Sequence, residues 1–390
     1  MTLNEKLKSG YIYLDNAAST KMSEEVSDAM VNALQSGCYG NPDSAHDIGA
    51  HARKIVKCAR REAAKVFGTQ PENVIFTSGG TEGNNLVIAG MKGHLEKNCK
   101  KLLISAVEHA SVYETAMSVY GDNVAVVGVK ATGEVDYEEL TRLLETGEFG
   151  LVSVMAMNNE VGTTNAVRQI ATLCHDNGAL YHTDFVQAFG EMSADVEDIG
   201  CDFMTVSSHK IHGPQGVGAV YARYPELLTP VIYGSKSQEF GLRGGTKNVL
   251  GILGFMNALR CVREDRSKIG YTNRALFVSE LVSWLAKLGI CEKAFINGAI
   301  NPKIVSLRID GIDAETLAMF LNAKKVCVST GSACNALSQK PSRVLKAMGL
   351  SDEEAHGTIR VSFSRYTTED EVADAARIIA KCAKEILELV

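Results

Sequence analysis

What this chain lacks narrows the field before any motif is read. Net positive charge is missing: 40 Lys and Arg stand against 46 Asp and Glu, a formal charge of −6. Proteins that grip a phosphate backbone regardless of sequence are ordinarily basic, so direct nucleic-acid binding is not expected. Nowhere do about 18 uninterrupted apolar residues occur, so no membrane span is expected. The stretch from Met1 to Gly10 is polar and has no apolar core of a secretory signal. Ten cysteines are present, yet no two of them stand in C-x-x-C spacing. The usual zinc-ligand spacing is therefore absent, no metal site is expected, and a chain this large does not need a disulfide framework. Reduced thiols in the cytoplasm are the reading that follows. Seven prolines and no low-complexity tract leave little room for a flexible linker.

What is present points to an α/β fold. Hydrophobic residues make up 45% of the 390 and charged residues 22%, an ordinary globular balance in a chain long enough for one large domain plus a smaller one. Short apolar runs at 74–77, 102–105, 124–129, 151–157, 180–182, 203–206 and 218–221 read as strands. Several are continuous instead of alternating, which suits strands buried on both faces of a parallel sheet. Helical patterns at 50–67 and 167–177 lie between them, so a doubly wound sheet is predicted. From about Ile252 the texture changes to a long helix followed by mixed strands and helices. Thr368 and Glu371 form a candidate capping box at the start of the last helix.

Three stretches carry chemistry. In Phe76-Thr-Ser-Gly-Gly80-Thr81-Glu-Gly, a strand runs into two glycines and a hydroxyl before a helix. Such a turn lets backbone N–H groups meet a phosphate, though Gly-Gly turns are common for other reasons. In Leu180-Tyr-His-Thr-Asp184-Phe-Val-Gln187, a carboxylate sits where the strand should end. There it can pair with a protonated pyridine nitrogen, or merely cap the next helix, with Gln187 placed to donate to a phenolic oxygen. In Val206-Ser207-Ser-His209-Lys210-Ile-His-Gly, a lysine follows another strand. Desolvated beside a cofactor, it becomes a Schiff-base amine; alone it is a solvated charge. Ser207 and His209 are placed to touch a phosphate or steer the lysine. Each motif alone favours its plainer reading. Together, in this order and at strand ends, they predict a pyridoxal 5'-phosphate site. His109, after the strand at 102–105, is a candidate to stack on the ring and move protons. Asn158 reads as a turn former, and Asn159 either as another or as an amide able to reach the phenolic oxygen.

These residues resemble the cysteine desulfurases of the NifS/IscS type (group I), within the class V aminotransferase group of pyridoxal enzymes. The resemblance runs from Tyr13-Leu-Asp-Asn-Ala-Ala-Ser through Tyr39-Gly-Asn-Pro-Asp-Ser to Thr358-Ile-Arg360-Val-Ser. Its most specific piece is Val328-Ser-Thr-Gly-Ser-Ala-Cys334-Asn. The resemblance implies the type I fold of pyridoxal-dependent transferases. Residues 14–260 would form the large cofactor-binding domain. Residues 1–13 and 261–390 would form the small one, with the cysteine loop at about 328–341. It implies that Lys210 holds the cofactor, His109 stacks on it, and Asp184 and Gln187 hold its nitrogen and phenolic oxygen. Gly80, Thr81, Ser207 and His209 would take the phosphate, Asn159 would face cofactor and substrate, and Arg360 would clamp the substrate carboxylate. Thr246, in Arg243-Gly-Gly-Thr, would act across a homodimer interface. Cys334 would take sulfur from L-cysteine, leaving alanine and a persulfide, and its Gly/Ser/Ala surroundings suit a loop that swings to an acceptor protein. Iron–sulfur scaffolds, tRNA-thiolation enzymes and DNA-phosphorothioation enzymes are the acceptors the resemblance implies. Cys327, in an apolar strand, reads as structural.

Three positions depart from the family pattern. Phe185 replaces the usual alanine after Asp184 and is expected near the ring face. Gly234-Ser-Lys-Ser-Gln-Glu replaces a glycine-rich stretch, and Gly83-Asn84 stands where an acidic or alanine-containing pair is usual. The competing readings are another class V enzyme, an aminotransferase or selenocysteine lyase, or a non-catalytic scaffold protein.

Overall fold

The continuous apolar runs are the middle of a seven-stranded sheet in the computed structural model, which describes residues 10–264, 271–301, 303–331 and 340–389. After β1 (Ile12–Tyr13) and helices Glu24–Gln35 and Asp47–Phe67 come β2 (Val74–Thr77), β3 (Lys101–Ser105), β4 (Val124–Val127), β5 (Phe149–Ser153), β6 (Leu180–Asp184), β7 (Phe203–Ser207) and β8 (Gly218–Ala222). The order across the sheet is β2-β8-β7-β6-β5-β3-β4. Every pairing is parallel except the two that flank β8, so β8 alone runs against the rest. The sheet is the α/β arrangement expected, with one reversed strand.

Helices cover both faces, which explains why these strands do not alternate polar and apolar. Leu102 and Ile104 of β3 pack into one core with Leu86, Ile88 and Val112, while Leu103 between them packs into another with Val56, Phe67 and Phe255. The pleat sends neighbours to opposite sides, and both sides are dry. Helix Asp47–Phe67 buries Ala52, Val56, Ala59, Ala63 and Val66, a stripe at helical spacing, and stops where Gly68 turns left-handed at φ 65°. It packs against the long helix Val249–Glu264.

The later residues build a second core. Strands β9 (Ala294–Asn297), β10 (Ile304–Ile309) and β12 (Thr358–Ser362) form an antiparallel sheet in the order β12-β10-β9. Helices Tyr271–Lys287 and Glu369–Leu389 close over it around Phe277, Leu281, Val305, Ile359, Phe363 and Ile379. Thr368 and Glu371 exchange hydrogen bonds of 2.9 and 3.2 Å at the start of the last helix, the capping box expected. Strand β1 pairs in parallel with β11 (Val326–Cys327), and Asp15 bridges to Ser362. Leu14 accordingly packs into this second core. The N-terminal segment therefore lies beside β12, against the mouth of the large sheet.

Candidate active site

At one end of the large sheet, loops leaving β2, β3, β5, β6 and β7 surround a cavity of about 240 Å³. Its walls include Gly80, Thr81, His109, Asn159, Asp184, Gln187, Ser207, His209, Lys210 and Arg360. The structure thus brings together ten of the twelve residues singled out in the sequence. Ala17, Ala18, Asn84, Met155 and Val186 complete the wall, and none of these had been expected there.

Lys210 follows β7 in a single helical turn, Ser208–Lys210. Its Nζ donates to the carbonyls of Ala17 at 2.5 Å and Ala18 at 2.8 Å. Neither acceptor carries a full charge to hold the ammonium. Burial, then Lys303 and Arg360, push its pKa down to about 7, with Asp184 and Asp15 opposing. At neutral pH a large share of this amine is an available nucleophile.

In the same cavity, β2 runs through Gly79, at φ 150°, into helix Gly80–Gly90, whose N-terminus no side chain caps. A Cβ on Gly80 would meet Val186 Cγ2 at 2.7 Å, so only glycine keeps this approach open. The Ser207 hydroxyl is buried with no hydrogen-bond partner among the described residues. Free backbone donors, a helix N-terminus and an orphan hydroxyl form an anion cradle. His209 is tied by Nδ1 to Ser19 at 3.2 Å, and burial lowers its pKa to about 4. It reaches the cradle as a neutral ring.

Asp184 is the last residue of β6. Its Oδ1 accepts from the Val186 N–H at 3.0 Å and its Oδ2 from the Asn84 amide at 2.7 Å. His109 caps helix Ala110–Tyr120, its Nδ1 accepting from the Ser111 N–H at 3.1 Å. Burial lowers its pKa, Asp184 opposes, and Lys210 and Arg343 add to the lowering. Between these two residues Asn84 also reaches the Ser111 hydroxyl at 2.8 Å. The sequence marked Asn84 only as a departure; its role depends on a partner a hundred residues away.

The far wall comes from the second core and the N-terminal segment. Arg360 of β12 donates to the Asn159 carbonyl at 2.7 Å and pairs with Asp15 at 2.9 Å, while its Nε has no partner among the described residues. The guanidinium is held from two sides with donors to spare. Gln187 gives one amide hydrogen to the Ala17 carbonyl at 2.8 Å. Asn158 is the turn former expected, its Oδ1 accepting from the Glu160 and Val161 N–H groups at 2.8 and 3.0 Å.

Three other positions fall elsewhere. Phe185 is fully buried in the core that holds Phe189 and Phe255, away from the cavity. The expectation that it lies near the ring face is corrected. Asp184 faces the site from the strand's end, so the next residue turns inward, and Val186 takes the wall position. Thr246 is exposed and lines no part of the cavity in this single chain. Cys334 lies outside the described residues, but both its flanks lie against the site. Ser329 exchanges backbone hydrogen bonds of 2.7 and 3.1 Å with Arg360, and Ser342 donates to Glu160 at 2.5 Å. Cys327 has a thiol pKa raised by burial and by Asp15, as fits a structural cysteine.

The aminotransferase class-V profile matches residues 12–374. The chain is 34% identical over 369 residues to the cysteine desulfurase IscS of Proteus mirabilis, covering 93% of this chain and 90% of that protein. It is 35% identical over 386 residues to a cysteine desulfurase of Trichormus azollae, covering 97% and 94%. The chain belongs to the class V aminotransferase family, among its cysteine desulfurases. A solved NifS-like protein superimposes with a TM-score of 0.85 at 34% identity, covering 98% of this chain and 100% of that one. A structure titled SspA in complex with cysteine aligns at 0.74 and 29% identity, over 91% of this chain and 99% of that one. Cysteine desulfurases use pyridoxal phosphate, and the cavity suits it. An orphan hydroxyl and an uncapped helix face the place for phosphate, a carboxylate the place for a pyridinium, and a buried amine the place for an aldehyde.

Proposed function

We propose that this chain removes sulfur from L-cysteine, releasing L-alanine and leaving the sulfur as a persulfide on Cys334 for an acceptor protein. The observation that carries the reading is Lys210: a buried amine with its pKa lowered to about 7, bonded to two carbonyls and lining one cavity with an anion cradle and Asp184. When bound, pyridoxal phosphate supplies an aldehyde for amines and a ring that accepts electrons released at the substrate α-carbon.

In this reading the chain's own groups divide the work. Gly80, Thr81, Ser207 and His209 would hold the phosphate. Asp184 would pair with the ring nitrogen, Gln187 would donate to the phenolic oxygen, and His109 would cover the ring. Arg360 takes the substrate carboxylate with a planar pair of donors, and Asn159 borders substrate and cofactor. Lys210 Nζ would accept the substrate α-proton, and the His109 ring nitrogen would carry protons between substrate atoms. The Cys334 thiolate attacks the substrate sulfur, so an S–S bond forms as the Cβ–S bond breaks.

The same reading takes residues 14–260 as the cofactor domain and 1–13 with 261–390 as the domain carrying Cys334; the separately buried second core supports it. A homodimer is part of the proposal. The exposed Tyr39 and Tyr233, each 78% accessible, and the half-exposed Phe240 are apolar surface of the kind such an interface needs. Iron–sulfur scaffolds, tRNA-thiolation enzymes and DNA-phosphorothioation enzymes remain the acceptor classes proposed. We place the protein in the cytoplasm, supported by nine described cysteines that are all free and by the lack of a described helix long and apolar enough to cross a membrane. Borohydride reduction followed by peptide mass spectrometry should find the cofactor on Lys210. L-cysteine should add one sulfur to Cys334 and release alanine. Unmodified Lys210, or sulfur on a different cysteine, overturns the assignment.

A further inference from the structure

The buried contacts between Asp184 and His109 form a chain with only one direction. A carboxylate accepts, so the group of Asn84 that meets Asp184 Oδ2 at 2.7 Å must be its nitrogen. That nitrogen's second hydrogen meets the Ser111 hydroxyl at 2.8 Å. Because Ser111 Oγ accepts there, its own hydrogen is free for the neighbour on its other side, His109 Nδ1, at 2.8 Å. The Ser111 backbone N–H reaches the same Nδ1 at 3.1 Å. A ring nitrogen that receives two donors carries no hydrogen itself. Asn84 and Ser111 are 1% and 7% accessible, so water does not compete for these bonds. Among the described residues His109 Nε2 has no protein partner, and the ring lines the cavity.

We infer that Asn84 is a positioning residue: by giving one amide hydrogen to Asp184 and the other to Ser111, it directs the serine hydroxyl onto His109 Nδ1 and keeps that imidazole's hydrogen on Nε2. The ring then presents a donor, not an acceptor, to whatever occupies the cavity. One side-chain amide also ties the carboxylate meant for the pyridine nitrogen to the ring meant to cover it, so the two cannot move independently. The hydrogen-bond chain stands on the protein alone; its use in proton delivery rests on the function proposed above.

Charges facing His109 are Asp184, Lys210 and Arg343, and all three stay in place in the variants that follow. The test is a long-range proton–nitrogen correlation spectrum of the full chain with 15N-labelled histidine, taken with and without pyridoxal phosphate. His109→Asn identifies the signal among the nine histidines. The wild type should show Nε2 protonated and Nδ1 bare. Asn84→Leu and Ser111→Ala each remove the hydroxyl's push on Nδ1, so protonation there becomes easier. Each should raise the His109 titration midpoint by about 0.4–1 unit and lower the tautomer ratio roughly two- to tenfold. Ser111→Thr keeps the hydroxyl and should restore both readings. In the double variant the shift should not exceed the larger single one. A wild-type ring protonated on Nδ1, an Asn84→Leu spectrum identical to wild type, or additive shifts would each overturn the inference. Failure to bind pyridoxal phosphate would instead strike the proposed function and leave these spectra readable.

Discussion

The two walls of the cavity are made differently. On the sheet side, Asp184 ends β6 while Ser207 ends β7 and Lys210 lies just past it, so each chemical group is a side chain delivered at a strand end. On the far side, the Ala17 and Ala18 carbonyls and the Arg360–Asp15 pair come from segments distant in sequence, joined by β1, β11 and β12 pairing and by side-chain bonds such as Asn16 to the Ser362 carbonyl. The first wall belongs to one core and the second to another. The sheet wall should therefore govern whether cofactor chemistry happens at all, and the far wall how well the substrate is held.

The largest expected effect breaks the sheet wall. Lys210→Ala should lower alanine formation by at least about a thousandfold, since both the covalent attachment and the α-proton acceptor are lost. Its binding of pyridoxal phosphate, followed by fluorescence, should persist through the phosphate cradle. Next, Phe185→Ala removes a core ring behind that wall and should destabilise the fold by about 3–5 kcal/mol in urea titration. The cofactor absorbance of the folded fraction should not change. A changed spectrum at native stability would put Phe185 back at the ring. On the far wall, Arg360→Lys loses the planar fork and should reduce kcat/KM for L-cysteine about 10- to 100-fold, mostly through KM, measured by alanine release. An equal fall in kcat would show that the two walls are not separable.

The smallest effect concerns pH. Lys210 has its pKa lowered from 10.5 to about 7 by burial, so between these values the unfolded chain holds a proton that the folded chain lacks. The stability of the cofactor-free protein should thus rise as pH goes from about 7 towards 10.5, and Lys210 should count most against folding below 7. Lys210→Met should flatten that slope in denaturant titrations at several pH values and be the more stable form on the acid side. Cofactor attachment to the wild type should slow below pH 7 as Nζ becomes charged.

Much of the sheet wall was legible in the sequence because each group follows a recognisable signal. An apolar run ends, then Gly-Gly-Thr, Asp or Lys appears, and strand ends are where such sheets bind ligands. Strand 74–77 matched its expected bounds, and the other strands differed at one end or both by up to four residues. The run at 151–157 stops being a strand at Ser153, although the Val154 and Ala156 N–H groups still donate to the His182 and Asp184 carbonyls at 3.2 and 3.0 Å. Phe185 was misplaced because a family position does not say which way a residue turns after a strand ends. Ala17 and Ala18 went unseen because a backbone carbonyl leaves no trace in residue type. Asn84 was visible only as an oddity, since the meaning of an amide depends on which donors and acceptors stand beside it.

By itself, then, the order of residues determined the α/β sheet, the lysine, the carboxylate and the glycine turn, because periodicity and local backbone freedom are properties of short segments. Only the tertiary structure decided that Lys210 points at two carbonyls, that Arg360 is braced by Asp15, and that Asn84 joins Asp184 to Ser111. Those arrangements set proton positions and amine acidity. They arise from burial and from contacts spanning up to 345 residues, which no local pattern encodes.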